Sequence, residues 1–557
     1  MSIAPRISPI DLQIMWARLI SVVEEQAQTL MRTAFSPIVR ECGDLSAGVF
    51  DVDGRMLAQA VTGTPGHVNT MAESVKHFLK HFPRETMREG DIYVTNDPWK
   101  GAGHVNDLVV TTPCFHKGRL IAIYACTSHI MDVGGIGLGP DATDVFMEGL
   151  QIPFLKLASD GKLNETLMAM IVANTRLPID TEGDIYALAA SNDVGCRRLR
   201  AMMEEFGLAD LHELADHILV RSKDAVMQQI GLLPKGTWHN QMTVDGYEEP
   251  VTLAATVTVR ENGIHVDYIG TSPASDRGIN VPLCYATAYT VFGLSCVISA
   301  QVPNNSGSLS PLSVSAPEGC ILNAPKPLPV ASRHIIGQML PDVVFGALRG
   351  AVAERVPAEG TSCLWNLNVR GAAEEEGGNY GFAMAIVANG GTGARLRSDG
   401  LSATAYPSGV KSTSVEIAEA VTPLIFWRKE LRPDSGGAGT TRGGLGQVIE
   451  LASRIGKPFD LLAAFDRIDY PPRGRDGGRD GAAGRVALAS GAVLKGKGSQ
   501  CIPPGERLVV MTPGGGGMGA PDNRPLEQVA VDVGAGLVTA DEAVQTYTAS
   551  AMTKRKI

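Results

Sequence analysis

Two β-like runs folded back on one short turn constrain this chain more than any other segment. Residues 106–129, NDLVVTTPCFHKGRLIAIYACTSH, are rich in branched and aromatic residues on either side of Lys117-Gly118, and a Gly-containing pair between two such runs reads as a hairpin turn. His104 and Asp107 lie three apart in a Gly-rich loop that enters the first run, and His129 ends the second. If the runs pair antiparallel, about twenty-five residues of out-and-back chain bring His129 beside His104. Any fold has to accommodate that strand pair and whatever the two histidines hold.

Two imidazoles with one or two carboxylates and open positions suit zinc, manganese or iron(II), whereas an all-oxygen set suits magnesium or calcium. Such a site activates water or polarises a carbonyl. The same spacing is also met by a pair of satisfied core or loop histidines. Asp44 and Glu41 share the segment IVRECGDLSAGVFD ahead of a strand. Either is the next metal ligand or a general base beside the metal, or else a helix-end or turn carboxylate. His67, in GTPGHVNTM before an apparent helix, either touches substrate or caps that helix; His77 and His81 read as helix-surface residues.

Apolar residues Leu12, Met15, Trp16, Leu19, Ile20, Val23, Ala27, Leu30 and Met31 recur at helical spacing and predict an opening helix over 9–34. The expected class is α+β and multi-domain. It has a strand-rich N-terminal unit with the metal site (1–160), a mainly helical region (161–235), an α+β region (236–378) and a Gly-rich, β-containing C-terminal region (379–557). In the last, DSGGAGTTRGGLG (434–446) offers converging backbone N–H groups and Arg442 as an anion cradle, or else a set of tight turns between strands. No Gly-Lys-Ser/Thr follows it or GTGARLRSDG (391–400), so no ATP site is expected on this chain.

Charge and cysteine usage narrow the partners. Lys and Arg total 49 against 59 Asp and Glu, a net charge of −10, which disfavours nucleic acid and supplies no polybasic membrane anchor. The start, MSIAPRISPIDLQIMW, lacks a leader pattern, and no later stretch offers about 18 apolar residues uninterrupted by charge. Nine scattered cysteines form no CxxC pair, as a reducing compartment tolerates, so the expected location is cytoplasmic.

Taken in order, RECGDLSAGVFD, GHVNTM, GDIYVTNDPWKGAGHVNDLVV, SHIMDVGG, ANTRLP, GTSPAS with GINVPL, APEGCILNAPKP, DSGGAGTTRGGLG and TPGGGGMG resemble the hydantoinase B and 5-oxoprolinase family. That family includes the B subunit of ATP-dependent N-methylhydantoinase, the caprolactamase metal subunit and the acetone and acetophenone carboxylase subunits. The resemblance implies a catalytic divalent metal, zinc or manganese with iron as a further fit, on His104, Asp107 and His129. Asp44 is the favoured acidic ligand and Glu41 its neighbour, with Glu41 or His67 managing protons. It also implies ATP consumed at a separate A-type subunit in an (AB)2 assembly, and a cyclic amide substrate such as a hydantoin, 5-oxoproline or a lactam. A ketone carboxylase subunit using bicarbonate and a noncatalytic scaffold for the A-type subunit are the alternatives. The chain departs from the family at Gly-Ala-Gly-His (101–104), at Ile130, where a second histidine is frequent, and at Met518, where an aromatic is frequent.

Overall fold

The computed structural model describes residues 7–61, 64–373 and 381–547. Residues 1–6, part of the start read above for a leader, and the expected boundary at 378/379 lie outside them. The chain opens with α1 (Pro9–Thr33), where Pro9 takes the first position and Ser8 caps it by accepting the Asp11 N–H at 3.1 Å. The expected stripe is buried, except that Ile20 and Met31 are only partly covered. Gln26, which no apolar pattern marks, is fully buried and donates to Asn192 Oδ1 at 2.7 Å and to the Ala125 carbonyl at 3.1 Å.

There follow α2 (Pro37–Arg40), β1 (Leu45–Phe50), β2 (Met56–Gln59), α3 (Pro65–His81), β3 (Ile92–Thr95), β4 (Asp107–His116), β5 (Arg119–His129), β6 (Leu155–Ser159) and β7 (Lys162–Leu163). These strands form one sheet in the order β2-β1-β5-β4-β3-β6-β7. The period-two alternation of strands divides its faces. Val49 and Tyr124 pack under α1 and α5 (Pro178–Glu205, after α4, Glu165–Ala173), while Phe50, Ile123 and Ala125 pack under α3. The hairpin is as expected: His116 pairs Arg119, Asp107 pairs His129, and Lys117 and Gly118 take φ of 50° and 77°, the left-handed pair of a two-residue loop.

After α6 (His212–Gly231), a second sheet, β11-β10-β9-β8, is built from β8 (Gly236–Val244), β9 (Val251–Arg260), β10 (Gly263–Asp267) and β11 (Leu312–Ser315), with α7 (Leu283–Ile298) and α8 (Ser306–Leu309) between the last two. α9 (His334–Gly337) and α10 (Leu340–Val352) come next. The stretch His334–Arg355 is long and apolar enough to cross a bilayer, but 78% of its apolar 18-residue window is buried inside the protein, and it is a core element here.

The remainder holds two four-stranded sheets. β12 (Trp365–Ala372), β13 (Gly381–Ala388), β16 (Phe459–Ala464) and β18 (Lys497–Ile502) form one. α11 (Val415–Val421), β14 (Leu424–Leu431), β15 (Gln447–Ser453), β17 (Arg485–Leu488) and β19 (Arg507–Met511) supply the other and its flank, before α12 (Leu526–Gly534) and α13 (Ala540–Tyr547). Trp365 stacks on Phe465 at 4.6 Å in their shared core.

Glycine-rich segments bridge these sheets by backbone alone. Gly391 N–H donates to Pro513 O at 3.0 Å, Gly444 to Thr392 O at 2.9 Å, Gly515 to Gly444 O at 2.9 Å and Gly437 to Gly515 O at 2.8 Å. A Cβ on Gly514 would stand 1.7 Å from the Ser435 carbonyl oxygen. The anion-cradle reading of 434–446 therefore gives way to a packing one: these N–H groups are spent on carbonyls, and buried Arg442 donates to Gly443 O at 2.7 Å and lies 3.4 Å from Asp532. Gly514→Ala is expected to cost about 1–3 kcal/mol or more by overpacking, read as a lower Tm in calorimetry; an unchanged Tm contradicts the packing role.

Candidate metal centre

The hairpin register places Asp107, at the first residue of β4, directly opposite His129, at the last residue of β5. The Asp107 carboxylate is completely buried and is the hub of the site. Its Oδ1 lies 2.7 Å from His104 Nε2 and 3.1 Å from His129 Nδ1, and its Oδ2 lies 2.8 Å from His67 Nε2 and 2.5 Å from Arg333 Nη2. Burial opposes ionisation, but the cationic groups that face it, Arg333 and His67 among them, hold this carboxyl well below its ordinary value. The His104 and His129 rings sit 5.3 Å apart.

His104 Nδ1 lies 2.9 Å from the Ala331 carbonyl, so that nitrogen carries the hydrogen, and burial with help from Arg333 pushes the imidazole down to about 4. The ring is neutral at neutral pH, and its Nε2 lone pair faces a carboxylate oxygen. Nε2 accordingly forms no hydrogen bond among the described residues. Two acceptors held face to face in a buried site are an arrangement that a shared cation relieves. His104, Asp107 and His129 each offer a ligand atom, all within 4.8 Å of one another, and this nitrogen–oxygen donor set fits a transition metal rather than magnesium or calcium.

Asp44, His67, Tyr285, Arg333, His334 and Asn366 line a small cavity of about 40 Å³ beside this cluster. Asp44 Oδ1 accepts from Thr64 Oγ1 at 3.2 Å and lies 3.6 Å from His67 Nδ1. Burial works against a charged His67, but Asp107 and Asp44 outweigh it and raise its pKa above the ordinary histidine value. Glu41 is not among the lining residues; its carboxylate is 2.8 Å from Arg40 Nε. Ile130, at the family's second histidine position, is buried among Ile38, Val39 and Leu45.

No chemistry was expected of segment 331–338, yet it carries much of the site. Ala331 orients His104, and Arg333 binds Asp107 while its Nε donates to Ala102 O at 2.8 Å and its guanidinium lies 4.2 Å from the Tyr285 ring centre. Gly103, with φ of 92°, makes room for Arg333: a Cβ there would stand 2.7 Å from Arg333 Cδ. The loops around the hairpin are pinned as well. Asp132 pairs with Arg176 at 2.5 Å, and Asp184 accepts the Phe35 and Ser36 N–H groups at 2.7 and 3.1 Å.

Glu148 holds this segment from behind, its Oε1 accepting the Val330 and Ala331 N–H groups at 2.5 and 2.7 Å. Burial pushes its carboxyl up to about 8. A folded pKa raised above the unfolded one means that its contribution is fully present below about 4.3 and is lost as pH rises through 8. Glu148→Gln, which keeps an acceptor and cannot ionise, is expected to flatten that part of the pH–Tm profile; an unaltered profile contradicts this.

Comparison with known proteins places these features in context. A family model described as hydantoinase B/oxoprolinase matches residues 8–521. The B subunit of a putative D-/L-hydantoinase from Pseudomonas sp. (strain NS671) is 29% identical over 572 residues, covering 97% of this chain and 95% of that one. The crystal structure of ATP-dependent caprolactamase from Pseudomonas jessenii superposes with a TM-score of 0.88 at 26% identity, covering 97% of this chain and 96% of that one. A nucleotide-free acetone carboxylase structure shares the fold, with a TM-score of 0.82 at 20% identity over 97% of this chain and 79% of that one.

Proposed function

The chain belongs to the hydantoinase B/oxoprolinase family, and on that premise we propose that it is the metal-carrying subunit of a two-component, ATP-dependent enzyme that opens a cyclic amide. The observation that carries this is the buried His104 Nε2, without a hydrogen bond among the described residues and facing Asp107 at the edge of a cavity. His104, Asp107 and His129 would hold a divalent metal, zinc or manganese with iron as a further fit, and Asp44 completes the set from the cavity wall. When bound, such an ion supplies Lewis acidity toward a carbonyl or water.

The chain's own residues do the rest. Arg333 keeps Asp107 ionised and in place. His67, bonded to Asp107 through Nε2 and facing Asp44 through Nδ1, has its pKa raised by those two carboxylates against its burial and is placed to pass a proton at Nδ1 toward a departing ring nitrogen. Glu41, turned to Arg40, has a supporting place outside the cavity. Ile38, Leu138, Leu364 and Val410 wall the site with apolar surface and exclude bulk water.

Opening an unstrained lactam or imide ring is uphill or nearly so, which is the reason to couple it to ATP. Many backbone N–H groups of the Gly-rich loops are spent on carbonyls and no Gly-Lys-Ser/Thr follows those loops, which favours placing the nucleotide on an A-type partner. The names of two relatives, one a hydantoinase B component and the other an ATP-dependent caprolactamase, support a partner of that kind. An (AB)2 assembly, a hydantoin, 5-oxoproline or a lactam as substrate, and a cytoplasmic location complete the reading; the free cysteines fit a reducing compartment.

The test is to purify the tagged chain with its natural partner and follow ring opening and ADP release together. Ring opening that tracks ADP formation and fails with either component alone is expected. A ketone carboxylase is the second reading, favoured by the fold shared with acetone carboxylase; labelled bicarbonate in the product, without ring opening, would replace the hydrolase with it. A partner fully active without this chain would reduce the chain to a scaffold.

A further inference from the structure

The cavity at the Asp107 cluster is also lined by polar atoms that the proposed chemistry does not use. His334 Nε2 and Asn366 Oδ1 are both buried, both belong to lining residues, and neither has a hydrogen-bond partner among the described residues. His334 is only 7% exposed. Buried polar atoms are nearly always paired, so two orphans at one cavity mark a place where a ligand supplies the partners.

Their alignment is fixed by the elements that carry them. Gln338 N–H bonds back to His334 O at 3.1 Å, which puts the two residues one helical turn apart on one face. Gln338 Oε1 accepts the Leu364 N–H at 2.9 Å, tying that helical turn to the strand. Leu364 and Asn366 are two apart and both face the cavity. The helix and strand are thus joined at one rung, and the imidazole and the carboxamide line the same cavity. Burial and the adjacent Arg333 push His334 down to about 3, so it faces the cavity as a neutral ring with one N–H.

We propose that His334 and Asn366 form a subsite that reads the edge of a ring amide, Asn366 Oδ1 accepting its N–H and His334 Nε2–H donating to its carbonyl. A small ring forces its amide into the cis form, so N–H and C=O lie side by side and meet both groups at once. An open-chain amide is trans and presents them on opposite edges. The subsite therefore selects rings over linear secondary amides and, for a lactam or 5-oxoproline, lets go of the product, because the opened amino acid no longer carries the paired edge. This inference rests on the ring-opening reading above.

Calorimetric titration of the metal-loaded complex without ATP tests it, using hydantoin, 5-oxoproline and 2-piperidone, each against its ring N-methyl counterpart. For the best-bound ring, methylation at the recognised nitrogen is expected to weaken binding by about tenfold or more. Asn366→Ala removes that discrimination, and His334→Ala weakens the parent ring by about tenfold or more, with metal content and Tm unchanged. Where an alanine variant fails to fold, His334→Gln and Asn366→Ser take its place. If the wild-type complex opens a ring but both variants bind it as tightly as wild type, the subsite is wrong and the ring-opening reading stands. If the wild-type complex neither binds nor opens any of the rings, the reading falls and the subsite with it.

Discussion

Asp107→Ala strips the metal from the chain and lowers ring-opening turnover by at least about a thousandfold, the scale on which losing a centre that stabilises developing charge acts. The size follows from the position of the residue. Asp107 contacts His104, His129, His67 and Arg333 together, so its removal takes a ligand and also frees the side chains that it aligns. Asp107→Asn separates these effects by keeping the shape and removing the charge. It is expected to retain the fold while losing most of the metal. Elemental analysis beside kcat reads both, and an Asp107→Ala protein that keeps its metal and turns over within about tenfold of wild type sinks the assignment.

Arg333→Met destabilises the metal-free protein by about 3–5 kcal/mol, the usual result of removing one partner of a buried ion pair. Asp107 would lose its permanent cation, the Ala102 carbonyl its donor and the Tyr285 ring its guanidinium. Arg333→Lys recovers only part of this, because an ammonium lacks the planar fork that reaches Asp107 and Ala102 together. Denaturant unfolding at pH 7 measures the difference; a midpoint unchanged in Arg333→Met means that Asp107 is held by its histidines alone.

The hairpin was legible because its signals are local: alternating apolar runs, a Lys-Gly turn and the strict period of a strand. Those three bring His129 beside His104 once the strands pair, and the structure adds the register that sets Asp107 opposite His129. The opening helix was legible for the same reason, its stripe being periodic over 25 residues. Gln26, at the centre of that helix, was not, since its partners Asn192 and Ala125 lie more than 90 positions away.

The far wall of the site was hidden for a related cause. Arg333 and His334 sit in a short segment with no periodicity of its own, and their importance comes from Asp107, which is 226 positions distant in sequence. The run Ser-Arg-His before an apolar helix was the one available signal: an arginine followed by a histidine at the head of a buried helix needs acidic or polar partners. In the C-terminal region glycine was read as ordered, with an anion cradle and tight turns between strands left as alternatives, and the backbone contacts favour the turns. Sequence reveals where a side chain is missing; only the structure shows that another backbone fills the gap.

The central claim is that the Asp107 cluster holds the metal on which ring opening depends. Dialysing the purified complex against a chelator and then titrating zinc or manganese back while assaying ATP-dependent ring opening tests it most directly. Activity that vanishes with the metal and returns on addition of about one equivalent per chain, and does neither in His129→Ala, is the predicted result. Full turnover by a complex stripped of metal would contradict it.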